Sequence, residues 1–149
     1  MIQRHGPIVL LAAVLVILAF AFQGSRGLFS PSEGFYVMIA QAMADSGDYM
    51  VPHLAQEPWL DKPPLSLWGI AMGLKILGHN EWGARAFHGL CFLLTAGLVF
   101  SLGKMIGGMR MGLLGAALFA TMILPFVSGN AATPDLPLTA CTTAAFVCF

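Results

Sequence analysis

Residues 86–128 read AFHGLCFLLTAGLVFSLG (86–103), KMIGGMR (104–110) and MGLLGAALFATMILPFVS (111–128). The outer two runs contain no Asp, Glu, Lys or Arg. Each is about the length that crosses a bilayer, where a helix needs about 20 residues and about 17 is the lower end. Between them, Gly107-Gly108 sits inside a short basic segment, which predicts a tight turn joining two spans. Gly112, Ala116 and Ala120 recur every four residues and form a small-residue face suited to close helix packing.

Downstream, 129–137 is a short loop, and Leu138–Phe149 begins a further apolar helix. That helix has no polar flank after it. A helix stopping inside lipid leaves its last carbonyls unsatisfied. The expectation is therefore a fragment, a split half or a truncated product.

Upstream, Leu65–Leu77 is apolar except for Ser66 and Lys75. At 1.5 Å per residue it covers only about 20 Å, which predicts an interfacial or juxtamembrane helix closed by Gly78-His79-Asn80. Trp59, Trp68 and Trp82 suit headgroup depth. Before it stands Asp61-Lys62-Pro63-Pro64-Leu65, an acid beside a cation and then two residues that stiffen the backbone. Pro52 and Pro58 limit helix over Val51–Glu57, which reads as irregular or extended.

Ser30-Pro31-Ser32-Glu33 predicts a helix start, with Ser30 as N-cap, Pro31 at the first helical position and Glu33 closing a capping box. Phe35, Ile39 and Met43, with Tyr36, give that helix one apolar face. Gly47 ends it. Pro7–Phe22 is uncharged and, with its flanks, long enough to span. Its rival reading is a cleaved signal peptide, with Arg4 as the n-region and Ala19-Phe20-Ala21 as a small-x-small cleavage pattern.

The totals agree. The chain of 149 residues is 58% hydrophobic and 9% charged, against about 25% charged in soluble domains. Mean hydropathy is +0.81. Formal net charge is zero, and no polybasic patch points to nucleic acid. Cys91, Cys141 and Cys148 lie in apolar runs and show neither a disulfide framework nor a metal-binding spacing. The fold class expected is all-α integral membrane, with about four transmembrane helices: 7–25, 86–103, 111–128 and the start of a fourth at 138–149. An outer loop, 26–85, carries juxtamembrane helices.

Lys and Arg set orientation. Arg4, Lys104 and Arg110 fall on one side of this arrangement, which makes it cytoplasmic and turns loop 26–85 and the Asp135 loop outward. All seven acids lie in those two outer segments. Glu33, Asp61, Lys62, Arg85 and Asp135 can thus share one membrane face. Such a set suits a reaction in which a hydroxyl attacks and a phosphate leaves. A carboxylate accepts the hydroxyl's proton, and Lys or Arg stabilises charge building on a phosphate oxygen. Each residue also has a plainer reading. Glu33 can simply cap its helix, Lys62 and Arg85 can be snorkelling cations, and Asp61 can pair with Lys62. Asp135 can be a helix N-terminal acid, while His53 and His88 read as structural.

One ordered series narrows this. Pro31-Ser32-Glu33, Tyr36, Gly47-Asp48-Tyr49, Pro52, Asp61-Lys62-Pro63-Pro64-Leu65, Trp68, Gly78, Glu81, Arg85 and Asp135 together resemble the N-terminal part of the bacterial lipid-linked-sugar glycosyltransferases. This is the family of the aminoarabinose transferase of lipid A and the protein O-mannosyltransferases, with a GT-C fold. The resemblance implies an N-terminal GT-C module in the bacterial inner (cytoplasmic) membrane. It also implies a polyprenyl-phosphate sugar donor and transfer to a lipid or protein acceptor at the outer face. Lys62 would hold the donor phosphate, with Arg85 assisting. Glu33 and Asp135 would position or deprotonate the acceptor. Asp61 would lie near a divalent metal site proposed in some members; no other cofactor is implied. The chain departs from the family at Ser32, where the family has Asp, and a serine hydroxyl is no general base at neutral pH. Its partners would be membrane lipid and the remaining part of an enzyme or a larger membrane complex. Two rivals stay open: a non-catalytic small membrane subunit derived from such an enzyme, and a transport or anchor protein sharing only the topology.

Overall fold

A computed structural model describes residues 6–28, 32–55 and 57–149. Its helices are α1 (Gly6–Phe20), α2 (Ser32–Ser46), α3 (Leu65–Leu77), α4 (Glu81–Thr121), α5 (Ile123–Gly129) and α6 (Asp135–Cys148). Two-residue strands, β1 (His53–Leu54) and β2 (Glu57–Pro58), pair antiparallel with His53 opposite Pro58. They fall in the stretch expected to be irregular or extended, and are the one addition to an all-helical chain among the described residues.

Helix α1 ends at Phe20, short of the expected 7–25. The chain then turns, and the buried Gln23 side chain donates to the Ala19 carbonyl and to Gly129 O (3.0 Å). Most of α1 is exposed and apolar, including Val9, Leu10 and Ile17. The expected cap of α2, Ser30 and Pro31, lies outside the described residues. The helix stops at Gly47, whose φ of +75° suits glycine and whose N–H donates to Met43 O (3.0 Å).

Helix α3 has the expected bounds because Pro63-Pro64 stops the preceding chain and starts the helix. Leu67, Ile70, Ala71 and Leu74 form its buried stripe and pack with Val37, Ile39, Ala40 and Met43 of α2. Trp68 and Trp82 are partly exposed, whereas Trp59 packs edge-on against Phe35 and Tyr36. Glycines let α3 cross α4 closely: a Cβ on Gly73 would lie 2.1 Å from Gly83 O.

Helix α4 begins at Glu81 rather than at residue 86, capped by Asn80 Oδ1, which accepts from Gly83 N (2.8 Å). Its helical dihedrals break at Gly107 and Gly108, where Gly108 has φ +75°. The arms 81–106 and 109–121 fold back on one another. Gly103 closes on Gly112, and Phe92 meets Phe119 with centroids 5.4 Å apart. The glycine turn is thus where the sequence put it, and Gly112, Ala116 and Ala120 are buried in helix packing.

The expected span 111–128 is interrupted at Met122, which is extended (φ −69°, ψ 140°). Pro125 accounts for the break: it has no N–H, and its ring collides with the carbonyl four residues back, at Thr121. Helix α6 starts at Asp135 rather than Leu138. Among the described residues one helix, Glu81–Thr121, is long and apolar enough to cross a membrane. Helices α1, α3 and α6 are apolar but shorter. By length and composition that leaves α4, itself two arms joined at Gly107-Gly108, and the count of four spans stays an expectation.

Candidate functional site

Four helices bring the charged residues to one end of the bundle. Glu33, in the first turn of α2, is buried, and Arg85, one turn into α4, is fully buried. Arg85 Nε donates to Glu33 Oε1 at 2.6 Å and Nη2 donates to Oε2 at 2.9 Å. The remaining Arg85 donors go to the carbonyls of Gln23, Arg26 (2.9 Å) and Gly27 (3.0 Å). A guanidinium has five N–H donors, and all of Arg85's are used within the protein. Glu33 Oε1 also accepts from Ala132 N (2.9 Å), and Oε2 from Arg26 Nη1 (3.2 Å). Arg26 Nη2 in turn donates to Asn130 O (2.9 Å). This network joins the segment after α1, the start of α2, the start of α4 and the loop before α6.

Glu33 and Arg85 were expected to act on acceptor and donor phosphate. The structure pairs them with each other in the interior, Arg85 fully buried and Glu33 buried yet part of the wall of the second cavity described below, because two charges in a mostly apolar interior persist only when paired and fully hydrogen-bonded. Lys62 and Asp135 lie in front. They line one cleft of about 590 Å³, together with Ser32, Tyr36, Ser66 and Thr133. Residues from the first turns of α2, α3 and α6 all contribute to its wall. Helix starts expose unpaired N–H groups and a positive dipole end; neither α3 nor α6 has a side-chain cap. Ser66 Oγ lies 3.0 Å from Nε2 of the buried His88, which fixes the cleft floor.

Asp135 and Ser32 also line a second cavity of about 780 Å³, on the side of Arg26 and Phe126. Asp135 is thus on the wall between two cavities, and Ser32, where the family the sequence resembles has Asp, lines both with it. Asp61 is exposed, with its carboxylate 3.5 Å from Lys62 Nζ. Among the described residues no group of three or more His, Cys, Asp and Glu converges on a metal-sized space. Arg26, Gln23, Asn130 and Ser66 escaped the sequence reading. One signal pointed to Arg26: in a chain with 9% charged residues, a cation directly after an apolar helix needs a partner.

The arrangement defines a class: a helical membrane module presenting a cation, a carboxylate and several helix starts to one polar cleft. The family model described as dolichyl-phosphate-mannose-protein mannosyltransferase matches residues 61–149. The chain belongs to this family. It is 34% identical over 134 residues to the undecaprenyl phosphate-alpha-4-amino-4-deoxy-L-arabinose arabinosyl transferase of Pseudomonas savastanoi pv. phaseolicola, covering 89% of this chain and 24% of that protein. The transferase of the same description from Pectobacterium atrosepticum is 34% identical over 143 residues, covering 95% and 25%. The crystal structure of ArnT from Cupriavidus metallidurans bound to undecaprenyl phosphate superposes with a TM-score of 0.82 at 26% identity, covering 96% of this chain and 26% of that one. The chain spans about a quarter of the length of these relatives.

Proposed function

We propose that this chain supplies the donor-phosphate and acid site of a glycosyltransferase. That enzyme takes a sugar from a polyprenyl-phosphate donor at the outer face of the bacterial cytoplasmic membrane. The observation that carries the reading is the shared cleft of Lys62 and Asp135. The crystal structure with undecaprenyl phosphate bound, similar over 96% of this chain, supports the donor class.

In this reading Lys62 neutralises the donor phosphate at the mouth of the cleft, and the starts of α3 and α6 direct N–H groups and dipoles at it. An acceptor hydroxyl, on a lipid or a protein, attacks the anomeric carbon. The bond from that carbon to the phosphate oxygen breaks, polyprenyl phosphate leaves, and the acceptor proton passes to Asp135. Glu33 and Arg85 act as positioning residues: Glu33 holds Ala132, in the loop that leads to Asp135. The Gly107-Gly108 turn, between Lys104 and Arg110, faces the cytoplasm, and the loop 26–85 faces outward. The rest of the lipid groove comes from further membrane segments or partner subunits.

The test is binding of undecaprenyl phosphate by the chain in nanodiscs of neutral lipid, followed by native mass spectrometry. Lys62→Ala should weaken binding at least about tenfold, the loss of one charge-assisted contact. Equal binding by the variant would remove the phosphate role of Lys62 and with it this reading.

A further inference from the structure

A serine hydroxyl on the wall of the Lys62 cleft has more hydrogen-bonding capacity than the protein uses. Ser66, in the first turn of α3, lines the cleft with Lys62 and Asp135 and is 3% exposed. Its Oγ lies 3.0 Å from His88 Nε2, the one side-chain hydrogen bond it makes among the described residues. A hydroxyl offers one donor and two acceptor sites, and His88 takes one of them.

His88 makes that contact rigid. Its ring is fully buried near the start of α4 and stands edge-on to Phe87. The Thr133 backbone lies close to the ring, but Nδ1 has no partner at hydrogen-bonding geometry among the described residues. Ser66 is thus the polar group that fixes the ring, and the ring fixes the Ser66 hydroxyl in return. A pair serving only the core could be replaced by apolar side chains at little cost. This one ends on the wall of a polar cleft, four residues along the chain from Lys62.

What stays open on Ser66 depends on the histidine tautomer, and one ligand group fits either. With Nε2–H donating to Oγ, the Ser66 O–H is left to donate into the cleft. With Oγ–H donating to Nε2, the Ser66 lone pairs are left to accept. A sugar hydroxyl both donates and accepts, as serine does. In a polyprenyl-phosphate sugar the ring is bonded directly to the phosphate, so a phosphate on Lys62 brings the ring hydroxyls into the cleft that Ser66 lines.

We propose that Ser66 is a specificity-determining residue that reads a ring hydroxyl of the donor sugar, with His88 as the positioning residue that holds it. A ligand without that hydroxyl leaves a buried polar group unpaired, which is what makes such a contact selective. The inference rests on the donor reading above and deepens it: Lys62 binds the phosphate whatever the sugar, and Ser66 tells a sugar-bearing lipid from a bare one.

The experiment uses the full chain in nanodiscs of neutral lipid, with binding read by native mass spectrometry. The probes are undecaprenyl phosphate and the same lipid carrying mannose or 4-amino-4-deoxy-L-arabinose. The readout is the ratio of affinities, sugar-bearing over bare. The parent chain should favour at least one sugar-bearing lipid about tenfold, the size of one well-made hydrogen bond, and Ser66→Ala should bring that ratio close to one. His88→Leu should do the same, whereas His88→Gln, which keeps a polar group to hold Ser66, should retain most of the preference. A merely structural role would not separate those two variants, and equal ratios in them would remove His88 from the proposal. Ser66→Ala deletes a single oxygen and decides the matter if a His88 variant fails to fold. Lys62→Ala should weaken all three lipids together and leave the ratio as it was. Unchanged binding in Lys62→Ala would remove the donor reading, while the ratio still reports on Ser66. A parent ratio of one for both sugars, or an unchanged ratio in Ser66→Ala, overturns the proposal.

Discussion

Glu33 and Arg85 meet side-on in the interior, Nε to Oε1 at 2.6 Å and Nη2 to Oε2 at 2.9 Å, with both side chains all but free of solvent contact. A buried pair of this kind contributes little net stability as a unit, yet removing one partner leaves an uncompensated charge and costs about 3–5 kcal/mol. Glu33→Gln and Arg85→Met should each lower stability by that order. The double variant should lose less than the sum, with a coupling of at least about 1 kcal/mol. Unfolding in mixed SDS–detergent micelles measures all three. Strictly additive losses would mean that the pair is not the structural unit.

The α3–α4 crossing makes a second prediction. A Cβ on Gly73 would stand 2.1 Å from the Gly83 carbonyl oxygen, a backbone atom that cannot swing aside. Gly73→Ala should force the helices apart and destabilise by about 1–3 kcal/mol. Gly97 meets nothing within 4 Å, so Gly97→Ala should be neutral or gain up to about 1 kcal/mol from helix propensity. The same unfolding assay compares them, and equal effects would contradict the close crossing.

These cases show what the sequence made legible. The α3 bounds, the Gly107-Gly108 turn and the packing role of Gly112, Ala116 and Ala120 follow from local rules: proline punctuation, glycine freedom, small-residue spacing. The break at Met122 was local too, and Pro125 was its signal, but hydropathy ran on through it. Lys62 and Asp135 were readable as residues of one face because topology and a family resemblance named both, as they named Glu33 and Arg85 singly. The Glu33–Arg85 pair was not, because nothing local joins residues 52 apart in sequence. Both had an ordinary explanation as a cap acid and a flank cation, and only tertiary packing turns them toward each other. Arg26 and Asn130 were missed for the same reason: their bond crosses 104 residues.

Orientation is testable at two exposed methionines. Met50 is 84% exposed, and Met105, beside the glycine turn, is 71% exposed. With Cys91, Cys141 and Cys148 replaced by Ala, Met50→Cys should react with a membrane-impermeant maleimide in intact cells whose outer barrier has been opened. Met105→Cys should react only after the cytoplasmic membrane is disrupted. The reverse pattern would turn loop 26–85 inward and put the Lys62 cleft on the wrong side for an outer-face donor.

Asp135 carries the sharpest functional expectation. It is exposed, lines both cavities, and makes none of the ion pairs found among the described residues. Its contribution to folding is limited to its place in the first turn of α6, worth no more than about 1 kcal/mol. As a proton acceptor its loss costs about 10²–10⁴ in rate. The measurement needs a complete enzyme. A chimera in which this chain replaces the matched quarter of the Cupriavidus metallidurans protein provides one. In that background Asp135→Asn should cut sugar transfer by at least about a hundredfold while undecaprenyl phosphate binding and thermal stability stay near those of the parent. Ser32→Asp, added to Asp135→Asn, returns a carboxylate to the same shared wall and should restore part of the rate. Transfer within about threefold of the parent in Asp135→Asn alone is far below the loss expected for a missing base. That result would leave Asp135 a helix-start acid and nothing more.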